Sequence, residues 1–259
     1  MFQSGVPDWE GLERNREKPI GRPVMYQTWH DLLFLHAKVP RELLQTMVPH
    51  ELTVEEYGGS AWLGFVPFRM TGIRPRGFPP LPWLSGFHET NIRTYVTHPQ
   101  YGPGVWFFSL DASRYIGCLI ARKSFKLPYF HSRLAIKTDR RELHYRGQRN
   151  SMQVLPQVGM QASNLVSYSI TATNEGMWHQ AKPKKFEYWL LERYRLYSVG
   201  ANGEIVTARV YHEPYQVEGA TVHGITIDGL DDQFGKLQFT NALFVERVNV
   251  QCFSPLVVS

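Results

Sequence analysis

Three polar side chains at every second position form the clearest candidate site in the sequence. In the segment GFHETNIRTYV, Glu89, Asn91 and Arg93 stand at spacing i, i+2 and i+4. On a β-strand this spacing places all three on one face, opposite Ile92. A carboxyl, an amide and a guanidinium held together can bind a small carboxylate and exchange a proton with it. The pattern also fits a solvent-exposed strand face that carries a surface ion pair.

Two further charged residues stand in a segment that is too apolar for a surface edge. Asp111 and Arg122 lie within VWFFSLDASRYIGCLIARKSF. A buried charge needs a partner, so we expect the carboxylates of Glu89 and Asp111 to pair with the two guanidinium groups. Around a closed cavity such a set would shift pKa values and bind an anion, whereas structural ion pairs would look the same in sequence.

A proline-rich segment, IRPRGFPPLPWLSGF (73–87), precedes the polar strand. Its four prolines stiffen a loop that carries Phe78, Trp83 and Phe87, which suits a wall or lid over a pocket. The alternative is a polyproline ligand for a partner domain.

Common catalytic and metal-binding motifs are absent. The sequence contains no G-x-S-x-G, P-loop, G-x-G-x-x-G after a strand, H-E-x-x-H or C-x-x-C pair, and its ten histidines are scattered. We therefore expect neither a metal site nor a cofactor.

Composition narrows the class of protein. The chain has 259 residues, of which 43% are hydrophobic and 14% aromatic, enough for one large core. The net charge is +5, but the sequence lacks the cluster of Lys and Arg residues that is typical of nucleic-acid-binding proteins. Nucleic-acid binding is therefore not expected. No apolar run is long enough for a membrane span, and no signal-peptide pattern opens the chain, so the cytoplasm is expected by elimination. Cys118 and Cys252 lie in apolar runs and predict buried thiols.

The elements that must position these residues are mostly short strands. Residues 1–23 are rich in proline and glycine and predict an arm on a single domain that spans 24–259. YQTWHDLLFLHAKV predicts a strand that changes face near its end, and VPRELLQTMVP predicts a two-turn helix between Pro40 and Pro49. Many strands with Gly, Asn and Asp turns follow, with a second short helix at DDQFGKLQ, and this spacing favours a barrel or sandwich.

Several of these segments resemble a known family. VPRELLQTMVPHELTVEEYGGSAWLGFVPFRM, PLPWLSGFHETNIRTYV, GVWFFSLDASR, ARKSFKLPY, ERYRLYSV and VYHEPYQVEGA are similar to the bacterial YqjF-like family across nearly the whole chain. That family in turn resembles a branch of the acetoacetate decarboxylase-like fold. The resemblance implies a mostly β (α+β) fold: a cone-shaped antiparallel β-barrel with flanking sheets, few short helices and an internal cavity. It also implies a homo-oligomer.

The resemblance assigns roles to individual residues and breaks at one of them. It places Glu89 where the decarboxylases have an active-site glutamate, and Arg122 on the strand that leads to the catalytic segment. In the decarboxylases a proline is followed by two lysines, the first of which forms a Schiff base. Here Pro128 is followed by Tyr129 and Phe130. Decarboxylation by that route is therefore not expected, although Lys126 is a conceivable substitute nucleophile.

The sequence thus predicts a cavity that binds a small organic acid. In this hypothesis Arg93 and Arg122 hold the anion, Glu89 acts as acid or base, and the apolar wall consists of Trp106, Phe108 and Tyr129. A lyase or hydrolase step would fit general acid–base catalysis. Two alternatives stay open, namely a binding or sensing protein without catalysis and a scaffold whose cavity is filled by its own side chains.

Overall fold

Strands dominate the computed structural model, which describes residues 7–80, 86–114, 127–149, 166–200 and 203–258. The helices in these ranges are α1 (Trp9–Arg16), α2 (Arg41–Thr46), α3 (Phe186–Leu191) and α4 (Asp231–Phe234). The strands are β1 (Met25–Val39), β2 (Thr53–Val54), β3 (Ala61–Pro75), β4 (Phe87–His98), β5 (Gly102–Ala112), β6 (Tyr129–Asp139), β7 (Glu142–Arg149), β8 (Ser167–Asn174), β9 (His179–Gln180), β10 (Arg195–Val199), β11 (Ile205–Tyr211), β12 (Gln216–Asp228), β13 (Phe239–Cys252) and β14 (Leu256–Val257). The expected mostly β fold with few short helices is confirmed.

The strands close into rings. One ring runs through β10, β5, β4, β3, β1, β13 and β11 and returns to β10. A second ring shares β5, β4, β3, β1 and β13 and is completed by β12, β8, β7 and β6. The β5–β6 and β5–β10 pairs are parallel, and the other strand pairs among the described residues are antiparallel. Ring closure leaves the shared strands covered on both faces, which explains their long apolar runs.

The shared strands divide two apolar cores. On β1, β3 and β4 one face carries Leu33, Phe65 and Ile92 into the first core. The other face carries Phe34 and Val66 into the second core, which lies inside the ring closed by β10 and β11. Each core therefore takes alternate residues of the same strands, as the two-residue period of a β-strand requires.

Strand β1 changes face at its centre. Trp29 faces the second core before the switch, whereas Leu32 and Phe34 face it afterwards. Between them Asp31 adopts a positive φ of 53°, which is uncommon outside glycine, and the pairing with β3 shifts register there. The residue pattern predicts this switch nearer the end of the strand. The irregular residue lets both halves of β1 contribute side chains to one core.

The proline-rich arm contains a helix that the sequence analysis did not predict. Asp8 caps α1, because its Oδ1 accepts a hydrogen bond from the Gly11 amide at 2.9 Å. Leu12 is buried and Trp9 packs edge-on against Tyr57, so the helix is fixed to the strands by tertiary contact. The prolines lie outside the helix, so they do not interrupt it.

Candidate ligand cavity

A cavity of about 220 Å³ lies inside the ring closed by β10 and β11. Its wall comes from β1, β3, β4, β5, β10 and β11, together with Leu127, Tyr129, Leu191, Arg193, Tyr215 and Cys252. Most of the lining side chains are aliphatic or aromatic. The polar groups are therefore the features that would orient a ligand.

The polar face of β4 borders this cavity. Glu89, Asn91 and Arg93 all line it, while Ile92 lies in the core on the opposite face. The structure thus brings together the three residues whose spacing drew attention in the sequence. All three are buried, so the solvent-exposed alternative does not hold for this strand.

Glu89 is a buried acid. Its Oε2 accepts a hydrogen bond from the Tyr129 hydroxyl at 2.8 Å. Desolvation raises the pKa of Glu89 to about 8; the Tyr129 hydrogen bond opposes this shift and nearby Asp111 adds to it. At neutral pH the side chain is mostly protonated, so it can donate a proton or a hydrogen bond to a molecule in the cavity.

Arg93 offers hydrogen-bond donors that other described side chains do not use. Its Nε and Nη2 are buried and have no hydrogen-bond partner in the described part of the chain. The guanidinium lies 5.3 Å from the ring centre of Phe34 and 5.8 Å from that of Tyr95. A buried cation needs a counter-charge, and two free N–H groups on one guanidinium match the two oxygens of a carboxylate.

Arg193 is a second cation of the cavity, and the sequence analysis missed it. Its Nη1 donates to Glu55 Oε2 at 2.5 Å and its Nε to the Trp189 carbonyl at 2.6 Å. The Glu55 carboxylate therefore balances the charge of Arg193. The available signal was an arginine two residues after the apolar helix FEYWLL, the same kind of pattern that singled out Asp111.

Two further arginines border the cavity but are held by the N-terminal helix. Arg195 donates to Asn15 Oδ1 and to Thr207 Oγ1. Arg209 donates to the backbone carbonyls of Asn15 and Glu17 at 2.5 and 2.7 Å. These guanidinium groups are thus bonded to the segment at the end of α1.

The ring of Tyr95 lies near both Arg93 and Arg193, and its hydroxyl is bonded to His36. Tyr95 donates to His36 Nε2 at 2.8 Å, and His36 Nδ1 donates to Asn241 Oδ1 at 3.0 Å. Burial, with a contribution from Arg93, lowers the pKa of His36 to about 3, so the imidazole stays neutral. This chain of neutral groups fixes the tyrosine against which the two cations pack.

Asp111 lies apart from the cavity. It pairs with Thr90 across the β4–β5 ladder, on the face opposite Glu89. Its carboxylate accepts from Ser132 Oγ at 2.5 Å and from Arg149 Nε and Nη2 at 2.8 and 2.7 Å. The expected pairing of Asp111 with Arg93 is therefore wrong, because Arg149 on β7, which the sequence analysis did not consider, already occupies the carboxylate.

Trp106 and Phe108 do not line the cavity, contrary to expectation. Both are buried in the first core, whereas Phe107 faces the cavity. The cause is a β-bulge: Ile92 pairs with Ser109 and Arg93 with Phe107, so that Phe108 has no partner on β4. The extra residue reverses the alternation along β5.

The remaining expected site residues have mixed outcomes. Tyr129 lines the cavity, as do Ile73, Pro75 and Phe87 at the ends of the proline-rich segment. Arg122, Lys126 and Trp83 lie outside the described residues. Within the described ranges, no group of three or more His, Cys, Asp or Glu side chains could hold a metal ion, and no helix is long and apolar enough to cross a membrane.

Comparison with known proteins shows the family of this chain. Residues 26–249 match the model of the DUF2071 family, described as "uncharacterized conserved protein". The chain belongs to the DUF2071 family. One relative of this chain is the uncharacterized protein YqjF of Bacillus subtilis. The two are 33% identical over 224 residues, and the match covers 86% of each chain.

Solved structures show which fold this DUF2071 member has. Acetoacetate decarboxylase from Legionella pneumophila superposes with a TM-score of 0.61 at 11% identity over 98% of each chain. The enduracididine biosynthesis enzyme MppR, in complex with pyruvate, gives 0.59 at 13% identity over 94% of this chain and 93% of its own. The DUF2071 chain therefore has the acetoacetate decarboxylase-like fold that its sequence resemblance implied.

Proposed function

We propose that this protein binds a small organic acid in the cavity, with Arg93 as the anion partner and Glu89 as the proton donor. The observation that carries the proposal is the pair of free, buried N–H groups on Arg93. An uncompensated guanidinium inside an apolar cavity is costly, and a bound carboxylate removes that cost.

The ligand would lie along β4. Its carboxylate would take the fork of Arg93, and its body would pass Asn91 toward Glu89. Protonated Glu89 could then donate to a carbonyl or hydroxyl oxygen of the ligand while Tyr129 holds the other carboxyl oxygen. Such an arrangement supports general acid–base catalysis of the lyase or hydrolase type.

A binding protein without turnover is the second candidate, and Tyr129 is the observation that favours it. Tyr129 stands where the decarboxylase resemblance places the Schiff-base lysine, and its hydroxyl is bonded to Glu89. A phenol cannot form an iminium with a keto acid, so Schiff-base catalysis by that position is excluded.

Calorimetric titration with straight-chain monocarboxylates tests the proposal. Replacing Arg93 by Gln should weaken binding at least tenfold, because the charge-assisted hydrogen bonds are lost. Arg133→Gln, at an exposed site on β6, is the matched control and should bind like the wild type. Equal affinity in wild type and Arg93→Gln would contradict the proposal.

The Glu89→Gln variant separates the two candidates. An enzyme should lose turnover in this variant while it still binds the acid, because the amide keeps the shape but cannot transfer a proton. A pure binding protein should show no turnover in either form. Product analysis by mass spectrometry after incubation with each bound acid gives the readout.

A further inference from the structure

Apolar side chains make up most of the cavity wall. They come largely from β1, β3, β4 and β5, among them Phe34, Phe68, Phe87, Val105, Phe107 and Leu110. The polar side chains on β1 satisfy one another, since Trp29 Nε1 donates to Gln27 Oε1 at 2.8 Å. Most of a ligand's surface would therefore meet hydrocarbon or aromatic rings.

Arg93 is the strongest candidate anion partner among the arginines that line the cavity. Glu55 balances Arg193, and the segment around Asn15 and Glu17 engages Arg195 and Arg209. Glu89 is mostly neutral at pH 7. Among the described residues, Arg93 has two buried nitrogens without a hydrogen-bond partner, Nε and Nη2, whereas Arg193 and Arg209 have one each.

The two polar ends of the site are far apart. Glu89 and Arg93 are four residues apart on a strand, which separates their Cα atoms by about 13 Å at roughly 3.3 Å per residue. The guanidinium of Arg93 lies between the rings of Phe34 and Tyr95, 5.3 and 5.8 Å from their centres. A two- or three-carbon acid bound at Arg93 would leave Glu89 and most of the cavity empty.

The volume indicates the size of a ligand that fills the cavity. At roughly 30 Å³ for a water-sized group, a cavity of about 220 Å³ holds about seven such groups. An alkyl chain or an aromatic ring of that size would fill it without displacing the wall.

We propose that the cavity selects an amphipathic monocarboxylic acid whose apolar body has about six to nine carbon atoms, in preference to short polar acids. This inference rests on the proposed function, because it takes Arg93 as the carboxylate partner. It adds the substrate class that the shape and the apolar lining of the cavity favour.

The test is a calorimetric series on the wild-type protein with acetate, butanoate, hexanoate, octanoate, decanoate and dodecanoate below their micelle concentrations. Affinity should rise about fourfold per methylene up to about eight carbons, because each buried CH₂ contributes a similar increment. It should fall for dodecanoate, which exceeds the cavity. Octan-1-ol, which has the same chain without the charge, should bind at least tenfold more weakly than octanoate.

The outcomes distinguish this inference from the proposed function. If acetate and butanoate bind as tightly as octanoate, and binding depends on Arg93, the proposed function stands and the chain-length inference is overturned. If none of the acids binds, both are overturned.

A matched pair of variants on β5 tests where the chain lies. Phe107→Leu enlarges the cavity and should move the optimum to a longer acid by one or two carbons. Phe108→Leu makes the same change one residue later, on the face of the first core, and should leave the optimum unchanged. An optimum that moves in neither variant, or equally in both, would overturn the inference.

Discussion

At the scale of single residues, burial determines what the Glu89 carboxyl group can do. An exposed glutamate is ionised at neutral pH, whereas here desolvation raises the pKa to about 8 from an ordinary value of 4.5. The folded protein therefore prefers the protonated form. This preference adds stability in full below pH 4.5, and the contribution is lost as pH rises toward 8.

We predict that Glu89→Gln removes this part of the pH dependence. The wild-type free energy of unfolding should lose up to about 1.4 kcal/mol per pH unit from Glu89 between pH 5 and 8, since one proton is released. The variant should lack that slope, so its stability relative to wild type increases with pH. Urea unfolding at pH 5, 6, 7 and 8 measures the difference.

Glu246→Gln, at an exposed position of β13, controls for the change of a carboxyl to an amide. Its difference from wild type should not depend on pH in this range. Parallel pH profiles for Glu89→Gln and wild type would show that Glu89 is ionised in the folded protein.

At the scale of elements, the pairing of β3 with β4 makes room for the anion partner. Gly64 lies directly opposite Arg93 in this ladder. A Cβ at Gly64 would lie 3.2 Å from Arg93 Cγ and 3.4 Å from both Arg93 Nε and the Tyr95 hydroxyl. The missing side chain is what lets the arginine lie across β3, so the strand register and the glycine together set the position of its guanidinium.

We predict that Gly64→Ala weakens carboxylate binding by about threefold to tenfold, because the methyl group displaces Arg93. Titration with octanoate measures the effect. Gly224→Ala, at a strand glycine of β12 whose added Cβ meets no atom within 4 Å, should bind like the wild type. Unchanged affinity in Gly64→Ala would mean that Arg93 does not set the ligand's position.

At the scale of the whole molecule, a buried ion pair connects a strand that both rings share to a strand that only the second ring contains. Asp111 is on β5, which both rings share, and Arg149 is on β7, in the second ring alone. Both side chains are nearly inaccessible to solvent, and the guanidinium also stacks 4.2 Å from the ring centre of Phe130. Removing one partner would leave a charge buried without compensation.

We predict that Asp111→Ala lowers the free energy of unfolding by about 3–5 kcal/mol, as is typical of a broken buried pair. Urea denaturation with fluorescence detection measures this. Glu142→Ala breaks a contact with His144 at the exposed end of β7 and should change stability by less than about 0.5 kcal/mol. Similar losses for the two variants would show that the buried pair adds nothing beyond a surface contact.

The sequence determined the features that depend on neighbouring residues. Pro40 and Pro49 bound the segment in which α2 forms, and the two-residue period of β4 placed Glu89, Asn91 and Arg93 on one face. The motifs that resemble known proteins also gave the family and the fold correctly. These signals are local, because the period of a strand and the geometry of proline do not depend on the rest of the chain.

Only the tertiary structure decided which residues meet. The pairs Arg193–Glu55 and Arg149–Asp111 join positions far apart along the chain, and no short-range pattern specifies them. Phe107 lines the cavity in place of Trp106 and Phe108 because of the bulge on β5, where one extra residue reverses the direction of every side chain beyond it. Ring closure, which depends on all strands at once, then made a polar strand face into the wall of a cavity.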